Sequence, residues 1–140
     1  MDFELLLAVA SPSLLILCAL MMPGLILAEA RRCYRDRRRR QAAEKAQALL
    51  MEWLSPAQLA QYESNGYFEV TGSHSGKRYR IRRTGQMNVD ELDESRARVV
   101  VWCFKPEGYL PVGDIMLAQK VMLETDERAA LVIANQHPAP

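Results

Sequence analysis

The sequence predicts an α+β protein. An N-terminal single transmembrane helix and stalk precede a small domain, in which a meander of three or four antiparallel strands is packed by short helices. Three observations predict this. No residue from Leu5 to Ala28 is charged, and arginines follow at once. The apolar period changes from helical to alternating after Gly66. Good helix formers return after Asp114.

At 1.5 Å per residue the uncharged run makes roughly 36 Å of helix, against about 30 Å of hydrocarbon. Ser11 suits an N-cap and Pro12 a first helical residue, so the regular helix can start there. Pro23-Gly24 should bend it. A cleaved secretion signal competes with the anchor, because Ala28-Glu29-Ala30 has the small-x-small form of a cleavage site. Two features oppose the signal. The chain starts "MDFE", where a signal carries positive charge, and the positive charge lies after the apolar run. The expected topology is N-terminus outside and C-terminal domain in the cytoplasm, at a bacterial inner membrane.

The chain has 140 residues and a net charge of +1, which hides an uneven layout. Arg31, Arg32, Arg35, Arg37, Arg38, Arg39 and Arg40 oppose only Asp36 in their window. Next to an apolar span they read as a topology determinant resting on anionic headgroups of the lipid bilayer. The sharper reading of the same cluster is a nucleic-acid contact. Tyr34 and Cys33 fit an interfacial depth. The three cysteines, Cys18, Cys33 and Cys103, have wide spacings that argue against a disulfide framework or a zinc site.

"QAAEKAQALLMEWL", Gln41 to Leu54, is a helical continuation whose first part is too polar for a core element. Ser55, Pro56 and Gln58 form a capping box that opens a short helix, and Asn65-Gly66 stops it. "GYFEVTG" reads as a strand through Thr71, and "KRYRIRR", Lys77 to Arg83, as a second. "TGQ" makes a turn, and "MNVDEL" is a third strand with Met87, Val89 and Glu91 on one side. "ARVVVWCF", Ala97 to Phe104, is continuously apolar and so is expected at the centre of the sheet. Lys105 to Asp114 is a loop. Asp114 is the expected N-cap of one closing helix, Thr125 starts another, and "QHPAP" is expected to be disordered. The expected divisions are thus anchor 1–30, basic segment and stalk 31–51, cytoplasmic domain 52–135 and tail 136–140.

Phosphate-loop, nucleophile-elbow and metal-helix motifs are absent from the sequence, so no cofactor or metal is expected. His74 lies in a Gly/Ser loop and His137 in the tail, poorly placed for shared chemistry. Cys103 within "VVVWCFK" reads as a buried small apolar residue. Asp90, Glu91, Asp93 and Glu94 read as a solvated acidic turn. Arg78, Arg80 and Arg82 share one strand face while Tyr79 points away from it. Pairing with the acids of "NVDELDE" is the preferred reading of that row. An acidic protein partner comes next, and nucleic acid third. In the loop, Tyr109 and Leu110 stand among turn residues, where exposed apolar side chains suit a partner.

The stretches "LSPAQLAQYESNGYFEVTG", "GKRYRIRR", "NVDELDE", "WCFKPEGYLPVGD" and "MLAQKVMLETDERAALVIAN" occur in that order between Leu54 and Asn135. In them the chain resembles a family of small uncharacterised bacterial and phage-associated proteins. The resemblance brings no established activity and no site residues. It implies a module that can stand without a membrane segment.

The function expected is a non-enzymatic interaction or accessory module on a single-pass membrane protein, as a subunit of a larger membrane complex. The alternative is a membrane-tethered nucleic-acid-binding regulator using Arg78, Arg80 and Arg82. The oligomeric state is open at this stage.

Overall fold

The structure is a computed structural model that describes residues 12–84, 87–106 and 108–139, with side chains from Gly24 onward. The Ser11 cap, the Gly85-Gln86 part of the expected turn and the start of the expected anchor lie outside the described residues. The chain divides into two units, Met1–Arg40 and Gln41–Pro140.

Helix α1, Pro12–Trp53, runs without interruption through Pro23-Gly24 and through the whole arginine run. Among the described residues no helix is long and apolar enough to cross a membrane. The expected transmembrane anchor over 1–30 is corrected on that finding. The inner-membrane location and the topology rested on the same span and fall with it. In α1, Glu29 and the arginines from Arg31 follow directly on Gly24–Ala28, and every residue from 24 to 45 is exposed.

The second unit is α+β, as expected, but larger at both ends. A five-stranded antiparallel sheet has the order β1-β2-β3-β4-β5. The strands are β1 (Tyr67–Thr71), β2 (Arg78–Arg82), β3 (Val89–Leu92), β4 (Arg98–Cys103) and β5 (Asn135–Pro138). The expected meander thus gains a strand from the segment expected to be disordered. There Gln136 faces Trp102 and His137 faces Val101.

Helix α2, Pro56–Asn65, opens with the predicted box. Ser55 accepts from the Gln58 N–H at 3.3 Å, and Gln58 Oε1 accepts from the Ser55 N–H at 3.1 Å. Gly66, at φ 70°, takes the left-handed C-cap position that disfavours a Cβ. The outer edge of β1 is closed by α2. The Glu69 N–H donates to Gln61 Oε1 at 2.9 Å and Gln58 Nε2 donates to the Glu69 carbonyl at 3.0 Å, so these groups cannot recruit another strand.

Helix α3, Val112–Ile133, is capped by Pro111 rather than Asp114, which stands in the first turn. Its Asp126 has non-helical dihedrals (φ −146°, ψ 72°), so two helical arms meet where a second helix was expected to begin. The helices cover one sheet face. Phe68, Tyr79, Ile81 and Val89 from the sheet, Leu50 from α1, and Met116, Leu123 and Ala130 from α3 are fully buried there. Each large apolar side chain so buried stabilises by about 1.5–3 kcal/mol. The supposed stalk is part of this core, because Ala46 and Leu50 are buried on one side of α1, with Leu54 buried just past its end. Gly113 permits the approach. A Cβ there would lie 2.5 Å from the Ala46 carbonyl carbon and oxygen.

The central strand is β3, not the apolar β4. All four β3 residues are buried, including Asp90 and Glu91, whereas only Val101 is buried in β4. As the middle strand of five, β3 has two further strands on either side of it. Apolar content fits β4 to a partly covered position next to the edge.

Candidate functional site

β2 alternates as its sequence demands. Tyr79 and Ile81 enter the core at 0 % exposure, and Arg78, Arg80 and Arg82 stand on the face without helices. In register, Glu69 of β1 lies opposite Arg80, and Arg80 opposite Asp90 of β3. Two acids are therefore set among arginines from β2, the β3–β4 turn and the start of β4. Glu69 takes Arg80 Nη2 at 3.0 Å and Arg96 Nη2 at 3.1 Å. Asp90, 1 % exposed, lies between Arg82 Nε at 2.9 Å and Arg98 Nε at 3.7 Å. Arg82 Nε attracts Asp90 by charge alone, since its N–H is not aimed for a hydrogen bond. Its Nη2 supplies the hydrogen bonds, to Asp90 Oδ1 at 3.1 Å and the Met87 carbonyl at 2.7 Å. The Arg80 guanidinium also lies over the Tyr67 ring, 4.6 Å from its centroid.

The row is thus largely neutralised, partly by the predicted Asp90 and partly by Glu69 on the other neighbour. Arg78 faces Thr71 and Leu92, and among the described residues it makes no ion pair. The acidic stretch is no single solvated turn. Asp90 and Glu91 are buried, Glu91 accepting from Lys77 Nζ at 2.5 Å and Trp102 Nε1 at 3.2 Å. Only Asp93 and Glu94 are exposed. Asp93 ties the turn, accepting from the Ser95 hydroxyl and the Ala97 N–H, which hold its carboxyl below the usual range.

On the covered face, the Gly72–Gly76 loop closes around Glu127, which is 2 % exposed. The carboxylate accepts from the His74 N–H at 2.8 Å, the Ser75 N–H at 2.6 Å, the Tyr79 hydroxyl at 2.6 Å and the Ser75 hydroxyl. In return the Glu127 N–H donates to Ser73 Oγ at 3.1 Å. The break at Asp126 delivers Glu127 to the loop. Gly72 leaves it room, for a Cβ there would lie 2.6 Å from both carboxylate oxygens. Burial pushes the Glu127 carboxyl up, but hydrogen bonds from Ser75, Tyr79 and the two backbone N–H groups outweigh it and hold it at about 2. Burial and the adjacent Glu127 push the Tyr79 hydroxyl well above its ordinary range.

A cleft of about 410 Å³ beside this knot brings His74, Lys77, Glu91 and Arg128 together. His74 Nε2 meets the Arg128 guanidinium. Cys103 is half-buried on the opposite sheet face and does not line this cleft. A carboxylate already holding four donors and titrating near 2 is a poor proton acceptor at neutral pH. The arrangement therefore fits a structural clasp better than a general base.

The Lys105–Pro111 loop and α3 border an apolar groove of about 190 Å³. Phe104, Leu110, Ile115, Met122 and Ile133 line it, with exposed Lys105 at its rim. Ile133 is 63 % exposed and its neighbour Val132 84 %. Of the two loop residues singled out, Leu110 belongs to this groove. Tyr109 lines a separate depression with Gln47, Tyr62 and Arg83. Sequence reasoning missed Ile133, because "ALVIAN" reads as the inner face of a closing helix. No protein-family profile, curated protein or solved structure matches the chain.

Proposed function

We propose that the 41–140 unit is a non-enzymatic interaction module, an accessory subunit that takes an apolar segment of a partner protein into the groove beside Leu110. The observation that carries this reading is the groove itself, with Leu110 and Ile133 exposed at its mouth. The volume suits two or three aliphatic side chains. Lys105 on the rim favours a partner segment with an acidic residue beside them. Exposed apolar side chains gathered around a concavity are the usual mark of such a contact.

The nucleic-acid alternative on β2 loses support from the same geometry, because Arg80 and Arg82 already hold Glu69 and Asp90. The resemblance to the small bacterial and phage-associated family is compatible with a module that stands alone.

A photo-crosslinker placed at Leu110 and, as a control, at Val99 of the full chain tests the reading. The expected result is a stoichiometric partner crosslinked only from Leu110, whose binding weakens by more than about ten-fold in Leu110→Asp and in Ile133→Asp. A partner that binds both variants unchanged overturns it.

A further inference from the structure

We propose that the depression between Tyr62, Arg83 and the first turn of α3 binds a phosphate group. The first N–H groups of a helix have no partner within it and call for a cap. In α2 the Ser55 side chain supplies one. In α3 the N-cap is Pro111, and no side chain caps the helix. The Pro111 carbonyl takes the Asp114 N–H at 3.1 Å and the Ile115 N–H at 3.2 Å. The Val112 and Gly113 N–H groups are left without a hydrogen-bond partner among the described residues. Gly113 is buried against Ala46, where an orphan donor is costly. Two adjacent N–H groups at the positive end of a helix dipole suit an anion.

Tyr62 of α2 points to the same place independently. It is 6 % exposed and lines this depression. Its ring packs edge-on against Phe68, and its hydroxyl has no hydrogen-bond partner among the described residues. A tyrosine so deeply buried usually finds one. Arg83 supplies the charge. Its backbone N–H donates to the Gly66 carbonyl at 2.9 Å and its Nη2 to Gln47 Oε1 at 3.1 Å. The guanidinium also lies 5.8 Å from the centroid of the Tyr62 ring. Both side-chain contacts are to neutral groups, so they orient Arg83 without cancelling its charge. Among the described residues that line the depression, Arg83 is the one charged group. Asp114 stands in the first turn of α3 but does not line it.

These donors come from three elements: two backbone N–H groups, a phenol O–H and a guanidinium. Phosphate offers only acceptor oxygens and full negative charge, and guanidinium matches it closely. A carboxylate has fewer oxygens than there are donors to meet. The depression holds about 200 Å³. Pockets for drug-sized ligands hold roughly 300–1,000 Å³. The space therefore fits a free phosphate or the phosphate end of a monoester. This inference does not rest on the groove at Leu110.

The test titrates the full chain with inorganic phosphate at constant ionic strength, following the Val112 and Gly113 amide signals by nuclear magnetic resonance. Phenyl phosphate and acetate are titrated in parallel. Phosphate should shift both amides and saturate in the millimolar range. Phenyl phosphate binding more tightly assigns the site to a monoester, and phosphate binding more tightly assigns it to the free ion. Arg83→Gln should weaken binding by more than about ten-fold, and Tyr62→Phe, which keeps the buried ring, by about three- to ten-fold. Arg78→Gln, remote from the depression, should change nothing. Shifts that are absent or fail to saturate overturn the proposal. So do shifts that acetate reproduces equally, that Tyr62→Phe leaves unchanged, or that Arg78→Gln weakens as much as Arg83→Gln does.

Discussion

Arg82 and Arg35 are the same side chain in two settings. Arg82 sits on β2 against Asp90, a carboxylate 1 % exposed. Arg35 stands on α1 in a run of ten exposed residues. In the sheet, Glu69 and Asp90 on the two strands beside β2 lie opposite Arg80, so Arg80 and its strand neighbour Arg82 each meet an opposite charge. On the lone helix the neighbours three and four residues away are again arginines, so the charges add rather than cancel. The difference teaches that a basic run in sequence is held by acids or stands among its own kind according to what lies beside it in space.

The largest effect that can break this comparison is expected from Asp90→Ala. It strands Arg82 and Arg98, and should lower the unfolding free energy in urea by about 3 kcal/mol. A double-mutant cycle with Arg82→Ala should show coupling of about 1–3 kcal/mol. Coupling near zero would place the sheet arginines in the same class as those of α1.

Glu127→Gln sharpens the same point for a carboxylate clasped by hydrogen bonds. The folded group titrates at about 2 against an ordinary 4.5. A depressed carboxyl contributes stability that is present above about pH 4.5 and lost as pH falls towards 2. A gap of that size corresponds to roughly 3 kcal/mol. The variant should lose a similar amount at pH 7 and should lack the acid step in its pH–stability curve.

Arg96 has φ 67°, in the left-handed region, while its guanidinium holds Glu69. Arg96→Gly relieves about 1 kcal/mol of backbone strain and loses an exposed pair worth less. The expected outcome in thermal melts is a gain of roughly 0.5 kcal/mol, with Arg96→Ala giving no such gain. The smallest effect belongs to α1. Replacing Arg31, Arg35 and Arg38 by Gln should move the stability of the 41–140 unit by less than about 0.5 kcal/mol.

Much of the second unit was legible in the sequence. The Ser55–Gln58 box, the Gly66 stop and the alternation that sends Tyr79 inward and Arg80 outward are local signals. The break near Thr125 was also foreseen, and appears at Asp126. Three expectations failed, each for a spatial reason. The apolar β4 was expected at the centre, yet the acid-bearing β3 is the middle strand of five and β4 lies next to the edge strand β5. "QHPAP" carries no strand pattern and is ordered only because β4 offers it an edge. The first turns of the "stalk" look polar, but Ala46 and Leu50 form a narrow apolar line that matters only because Gly113 lets α3 approach. The anchor failed differently. An uncharged run beside arginines satisfies the rules for a span, but among the described residues no helix has the length and apolar character to cross a membrane.

Of the candidate site, the sequence marked Leu110 as an exposed apolar residue and the arginines as a row. It did not reveal Glu127, which follows Thr125-Asp126 and resembles any acid of a first helical turn. What the sequence by itself determined are the features set within a few residues: caps, strand alternation, the turn at Asp93 and the helical clustering of arginine. Only the tertiary structure decided which charges are neutralised, which strand is central and which apolar residues stay at the surface. Those depend on residues tens of positions apart, as Asn88 and Gln119 or Tyr79 and Glu127, and no local pattern records such a meeting.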